Sequence, residues 1–231
     1  MSTIKLENIL FIDIETVPVN YKYKSLSATE KELWDKKWLY LKDVTTEEQY
    51  NKAGIYAEFA KVICIGLGYM SEGKFRTKTI AGDNEADLLI QFSKLLQKHF
   101  NTKDHYLCAH NGKEFDFPFL CRRLLINKIA LPKLLQIQGF KPWEVKHLDT
   151  MEMWRFGDIK NFTSLNLLAH IFNIPSPKND IDGSDIAKVY YEEKNLKRIT
   201  DYCIKDVVTL ARIYQALKGL APINDNDVVY A

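Results

Sequence analysis

Alternating apolar runs and polar stretches lay out most of the elements of the chain. Residues 8–14, NILFIDI, are apolar and β-branched up to an acidic end, and they predict a buried strand. KVICIGLGY at 61–69 predicts a second strand and FRTKTIA at 75–81 a third, with SEGK as the hairpin turn between them. The run 84–100 sets Leu88, Leu89, Phe92, Leu95 and Leu96 at helical spacing. YLCAH at 106–110 reads as a short strand before an Asn111-Gly112 turn, and a helix is expected from Phe117, with Pro118 tolerated in its first turn. HLDT at 147–150 predicts another short strand, and SLNLLAHIF at 164–172 a helix closed by Ile174-Pro175. A long helix is expected from near Asn195 to about Leu217, capped by Gly219.

Residues 20–57 break this pattern. They are rich in Lys, Glu, Tyr and Trp, with a helix expected over about Ala28 to Leu41, and they read as an insertion between the first two strands. Residues 220–231 carry little pattern and read as a C-terminal tail. Strands first, then helix alternating with strand, predict an α/β fold with a central mixed sheet, as one domain over 1–231.

Composition changes this picture little. At 46% hydrophobic and 27% charged, the 231 residues can bury a core without staples. A formal net charge of +2 neither supports nor excludes nucleic acid as a partner, because binding it needs a local basic groove only. Cys64, Cys108, Cys121 and Cys203 form no C-x-x-C pair and sit in apolar surroundings, so buried free thiols and a reducing, cytoplasmic compartment are expected. No apolar stretch has the length of a membrane span, and no signal peptide is expected.

The chemistry lies in acidic residues. Asp13 and Glu15 are two apart on a predicted strand and so share a face. Two carboxylates side by side repel unless a cation lies between them, and oxygen donors without His or Cys suit Mg²⁺ or Mn²⁺. The plain alternative is a solvated acidic strand end. Asp116 stands in HNGKEFDFPFL, where a helix N-cap is the alternative role. Tyr202 and Asp206 are four apart on the last predicted helix and point the same way. The alternative there is one core tyrosine and one surface aspartate.

FIDIET, AHNGKEFDFPFL and YCIKD, in that order, resemble the three motifs of the DEDDy 3′–5′ exonucleases, over about residues 8–217. The middle motif, N-G-x-x-F-D-x-P, is similar to that of the proofreading exonuclease domain of family B DNA polymerases. The resemblance implies a ribonuclease H-like fold and metal-dependent removal of nucleoside monophosphates from a 3′ end, with DNA favoured. It implies two divalent ions, one held by Asp13, Glu15 and Asp206 and one by Asp13 with Asp116. It gives Tyr202 the role of aiming the attacking water, since an ordinary tyrosine pKa near ~10 is too high for a base at pH 7. Asn111 and Thr16 are candidate substrate contacts by the same resemblance. Asn111 reads equally well as the turn residue before Gly112. Phe115, a third candidate substrate contact, fits core packing better.

His110 reads as structural. Asp149 reads either as an acid behind the site or as a cap. DIDGSD at 180–185 lacks the EF-hand pattern, so calcium is not expected there. In the insertion, Trp34 and Trp38 are expected to pack on the domain, while its lysines, from Lys22 to Lys42, are candidates for binding phosphates of a single strand. The expected partner is nucleic acid, with single-stranded 3′ ends favoured. A polymerase domain does not fit alongside, so a stand-alone nuclease, or a subunit working with a polymerase or repair factor, is expected. The competing reading is a catalytically silent ribonuclease H-like binding module. It loses ground because degenerate modules shed carboxylates and all four are present. A haloacid-dehalogenase-type phosphatase explains neither the second nor the third motif.

Overall fold

A computed structural model of the chain describes residues 4–41, 43–175 and 181–230. Its centre is a mixed sheet. Strand β1 (Ile9–Pro18) pairs antiparallel with β2 (Ala60–Ser71), and β2 pairs antiparallel with β3 (Lys74–Ala81). On the other side, β1 runs parallel to β4 (Tyr106–Ala109), which runs parallel to β5 (Leu148–Asp149). The strand β6 (Val228–Tyr230) lies parallel to β3 and gives the order β5-β4-β1-β2-β3-β6. Helices cover both faces, so the expected α/β, ribonuclease H-like architecture is what forms.

The two faces of β1 explain the layers. Leu10, Ile12 and Ile14 point into a core with Leu88, Leu89, Phe92 and Leu96 of the Glu85–His99 helix and Phe117, Phe119 and Leu120 of the Asp116–Ile126 helix. Ile9, Phe11 and Val17 point the other way, under the Leu196–Lys218 helix, with Val207, Leu210, Ala211, Ile199 and Cys203. Period-two alternation puts Asp13 and Glu15 on this second face, between Phe11 and Val17.

Two expectations change. The first strand does not stop at residue 14. It continues to Pro18, because TVP after the acidic pair still pairs with β2. The carboxylates therefore sit inside a strand, not past its end. The tail is also not patternless: Val228 and Val229 are β-branched and pair with Phe75 and Arg76 at the sheet edge. A short helix, Thr150–Arg155, follows β5 directly and has no counterpart in the sequence reading.

Residues 20–57 do lie between β1 and β2, and the Ala28–Trp38 helix within them starts at a Ser27–Glu30 capping box. Trp34 is fully buried against Tyr50, Leu26 and Ala53, and its indole N–H donates to Thr46 O at 2.8 Å. Trp38 packs beside it. The packing role expected of both tryptophans is the one they have. Lys36 pairs with Glu32, and Lys37 lies over the Tyr56 ring. Lys42 lies outside the described residues.

Candidate active site

The β1–β2 ladder sets the site. Asp13 pairs with Gly66 and Glu15 with Cys64, and the register then slips so that Thr16 pairs with Val62. This bulge places successive residues Ile63 and Cys64 in the same cluster beneath the Leu196–Lys218 helix. The helix can descend onto Asp13 because β2 carries glycine where it crosses. A Cβ on Gly66 would lie 2.7 Å from Cys203 Sγ and 2.9 Å from Val207 Cγ2. A Cβ on Gly68 would lie 2.7 Å from Val207 Cγ1 and 2.4 Å from the Phe75 ring. At this approach the Cys203 thiol donates to Asp13 Oδ2 at 3.4 Å, and ligand atoms of Asp13, Glu15 and Cys203 fall within 4.8 Å of one another. Tyr202 and Asp206 lie on the same helix, and the Asp206 carboxylate acts on the Tyr202 hydroxyl.

Asp116 comes from the opposite layer. It is the first residue of its helix, preceded by Phe115 at the N-cap, so the capping role weighed for Asp116 does not apply. The turn that delivers it is stapled by Asp149, whose carboxylate accepts from Asn111 N at 2.9 Å and Lys113 N at 3.0 Å. The same carboxylate caps the Thr150–Arg155 helix through Met151 N and Glu152 N. Asp149 is thus cap and support at once. His110 holds the turn from the other side, between the Thr150 hydroxyl at 2.9 Å and Thr163 O at 2.8 Å, which is a structural role.

Electrostatics bind the group together. Burial and then the charges of Asp206 and Asp116 push the Asp13 carboxyl well above its ordinary range. Glu15 is pushed up by burial and by Asp13, with Cys64, Asp206 and Asp116 adding to it. Asp116 rises to about 7, chiefly through burial, against backbone amides that favour its charge. Tyr202 is raised by burial and by Asp206, Glu15 and Asp13, and stays protonated throughout the physiological range. Among the described residues no lysine or arginine forms an ion pair with Asp13, Glu15 or Asp116. Buried carboxylates that face one another without a cation are costly, and a divalent ion on their oxygens removes that cost. The donor set therefore fits a hard cation. The Cys203 sulfur, pushed up by burial, remains a neutral thiol that donates to Asp13.

The remaining candidates are placed as follows. The Thr16 hydroxyl donates to Gly54 O at 2.7 Å and ties the insertion to β1. Asn111 has φ +62, the left-handed conformation of a turn asparagine. Phe115 packs against Phe119 with ring centroids 5.4 Å apart. Ile181 is buried beside Val17 and Ile199, and Asp182 accepts from Ser184 in a tight turn, while Asp180 lies outside the described residues. Gly66, Gly68, the Cys203 thiol and the buried Glu85–Arg123 pair escaped the sequence reading. Glu85 accepts from Val62 N at the bulge and from Arg123 Nε at 2.8 Å, linking β2 to the helix that carries Asp116. The I-G-L-G alternation of β2, two glycines on one strand face, was the available signal for the close helix approach.

Known proteins resemble the chain in family and in fold. The family model for a predicted 3′–5′ exonuclease related to the exonuclease domain of PolB matches residues 55–220. That span holds Asp116, Tyr202 and Asp206 and begins after Asp13 and Glu15. The structure of the family B DNA polymerase from the hyperthermophilic archaeon Pyrobaculum calidifontis is similar at 13% identity and TM-score 0.55, over 93% of this chain and 26% of that one. At that identity the likeness is one of fold, and the chain spans about a quarter of the polymerase's length. The RNase domain of the yeast Pop2 protein matches more loosely, at 15% identity and TM-score 0.39, over 89% of this chain and 78% of that one.

Proposed function

Because the chain belongs to the family of predicted 3′–5′ exonucleases related to the exonuclease domain of PolB, we propose that it removes nucleoside monophosphates from the 3′ end of nucleic acid, with single-stranded or frayed DNA ends as the favoured substrate. The observation that carries this reading is the convergence of the buried carboxylates Asp13, Glu15 and Asp116 from two layers of the fold, beside Tyr202 and Asp206. Asp13, Glu15, Asp116 and Asp206 would hold Mg²⁺ or Mn²⁺. Ions bound there supply charge neutralisation at the scissile phosphate and an activated water for in-line displacement.

The side chains supply the rest. Tyr202 keeps its proton and directs it at Asp206, which leaves its oxygen lone pair to accept from the attacking water and aim it. Deprotonated tyrosine is disfavoured by burial and by the three carboxylates around it. Cys203 fixes the Asp13 carboxylate by its thiol, and Asp149 fixes the turn that presents Asp116. Both act on geometry and not on the reacting atoms.

Purified protein with Mn²⁺ or Mg²⁺ is expected to shorten a 5′-labelled single strand from its 3′ end, and EDTA to stop it. Asp13→Ala and Asp206→Ala are each expected to abolish the shortening. Tyr202→Phe, which leaves the carboxylates in place, is expected to be milder. Shortening that persists in both aspartate variants would sink the assignment.

A further inference from the structure

The connection from the Thr150–Arg155 helix to the Leu165–Ile171 helix carries three exposed large apolar side chains: Phe156 at 88%, the highest among the described residues, Ile159 at 77% and Phe162 at 67% exposure. Such residues on an unstructured loop would need no explanation. This loop is tied down along its length. Asp158 N donates to Arg155 O and Asn161 N to Asp158 O, and Lys160 N donates to the Asp158 carboxylate. The Thr163 hydroxyl donates to the Asn161 side chain at 2.7 Å, and Thr163 O meets His110.

Two features show that the aromatic rings are held outward. Phe156 occupies the left-handed C-cap position, φ +46, which a bulky residue enters only at a cost, while the glycine that would suit it stands one place later. Phe162 has the Arg155 guanidinium 4.4 Å above its ring, and that guanidinium is fixed by Asn161 O, Met151 Sδ and Glu114. One face of the Phe162 ring is thus backed by a half-buried cation, and the ring as a whole is largely open to solvent.

The loop also has a fixed relation to the carboxylates. Arg155 reaches Glu114, two residues before Asp116, and Lys113 pairs with Glu152 at 2.6 Å. The loop is anchored to the very turn that presents Asp116, one element away from it.

We infer that Phe156 and Phe162 form a stacking platform for bases of a single-stranded nucleic acid, upstream of the terminal nucleotide whose phosphate lies at the carboxylates. The inference rests on the exonuclease reading and adds to it where the strand runs. Aromatic faces beside lysine and arginine are what a sequence-tolerant single-strand site needs, because each base offers a π-face and each linkage a phosphate. Lys160 stands on the same loop for that second task. Ordering these rings in advance removes the entropy cost of fixing them on binding.

The test separates the platform from the catalytic assignment. With Mn²⁺, Phe156→Ala/Phe162→Ala is expected to raise KM for a 5′-labelled single-stranded 20-mer by about tenfold or more. Hydrolysis of the p-nitrophenyl ester of thymidine 5′-phosphate, which has no upstream base, is expected to stay at the wild-type rate. Fluorescence anisotropy of the labelled strand in EDTA reads binding without cleavage. Equal affinity of wild type and double variant there overturns the platform, whether or not the protein cleaves. Phe156→Leu/Phe162→Leu keeps the apolar cover and removes the rings, so wild-type binding by that variant overturns stacking. A double variant that dissociates a dimer in sedimentation and binds the strand normally assigns the patch to a second copy of the chain, and also overturns it.

Discussion

Placing a methyl group on Gly66 tests whether the approach of the Leu196–Lys218 helix to β2 is what builds the site. The new Cβ would lie 2.7 Å from Cys203 Sγ, 2.9 Å from Val207 Cγ2 and 3.2 Å from Cys203 O. Ordinary contact begins at 3.4 Å. Side chains can turn aside, but the carbonyl belongs to the helix backbone, so the helix itself must give, and the thiol must move by about 0.7 Å. Overpacking of this kind costs about 1–3 kcal/mol, which in a chain of this size lowers Tm by roughly 2–4 °C per kcal/mol. The functional cost is of the same order. The same helix carries Tyr202 and Asp206, and the Cys203 thiol holds Asp13, so the site is displaced as a unit. A misplacement approaching 1 Å costs on the order of 100-fold in turnover. Rates on a 5′-labelled single strand, measured beside thermal melts, are expected to show Gly66→Ala folded but about 10- to 100-fold slower. Gly82→Ala, at a glycine with open space around it, is the control and is expected to behave as wild type. Cys203→Ala in the Gly66→Ala background removes one of the three clashes and is expected to restore stability only in part. A folded Gly66→Ala protein with turnover within about twofold of wild type would refute the argument.

Asp149→Ala removes an N-cap and leaves the Asn111 and Lys113 amides without their acceptor, so a loss of about 2–4 kcal/mol is expected. Calorimetry should show Tm falling by several degrees, together with slower cleavage; an unchanged Tm would show that the turn presenting Asp116 does not depend on this carboxylate. The carboxylates also predict a pH dependence. Asp116 titrates at about 7 in the folded protein against an ordinary 3.8, so the stability it supports is present at low pH and is lost as pH rises from about 4 to about 7. His147, lowered to about 4 by burial, acts in the opposite sense over part of that window and masks the effect in the wild type alone. In EDTA, Asp116→Asn is therefore expected to gain Tm relative to wild type as pH rises through that window, and Mg²⁺ to close the gap by stabilising the wild type. A difference that stays flat with pH would remove the electrostatic account.

What the sequence carries and what only the folded chain carries divide along physical lines. Strand and helix periodicities fix only which neighbours share a face, Asp13 with Glu15 and Tyr202 with Asp206, and it was the order of the three motifs, by resemblance, that joined these pairs into one candidate site. The long helices were legible because their apolar stripes repeat often enough to declare a period. What sequence could not carry is distance across layers. Gly66 and Gly68 look like weak points of a strand until the helix above them is in place, and then they become what lets it arrive. Cys203 reads as one more buried thiol until its neighbour proves to be the Asp13 carboxylate.

The same limit explains the misread segments. Val228 and Val229 form a strand only because β3 offers an edge, so their signal lies far upstream, in Phe75 and Arg76. The Thr150–Arg155 helix is too short to show a period and exists because Asp149 caps it. That cap is also the staple on the turn before Asp116, so one buried carboxylate outside the acidic cluster sets both the helix that ends in the Phe156 loop and the position of a cluster member. The acidic cluster and the aromatic loop are therefore built on a shared support, and a change at Asp149 should disturb cleavage and strand binding together, whereas a change at Gly66 should disturb cleavage alone.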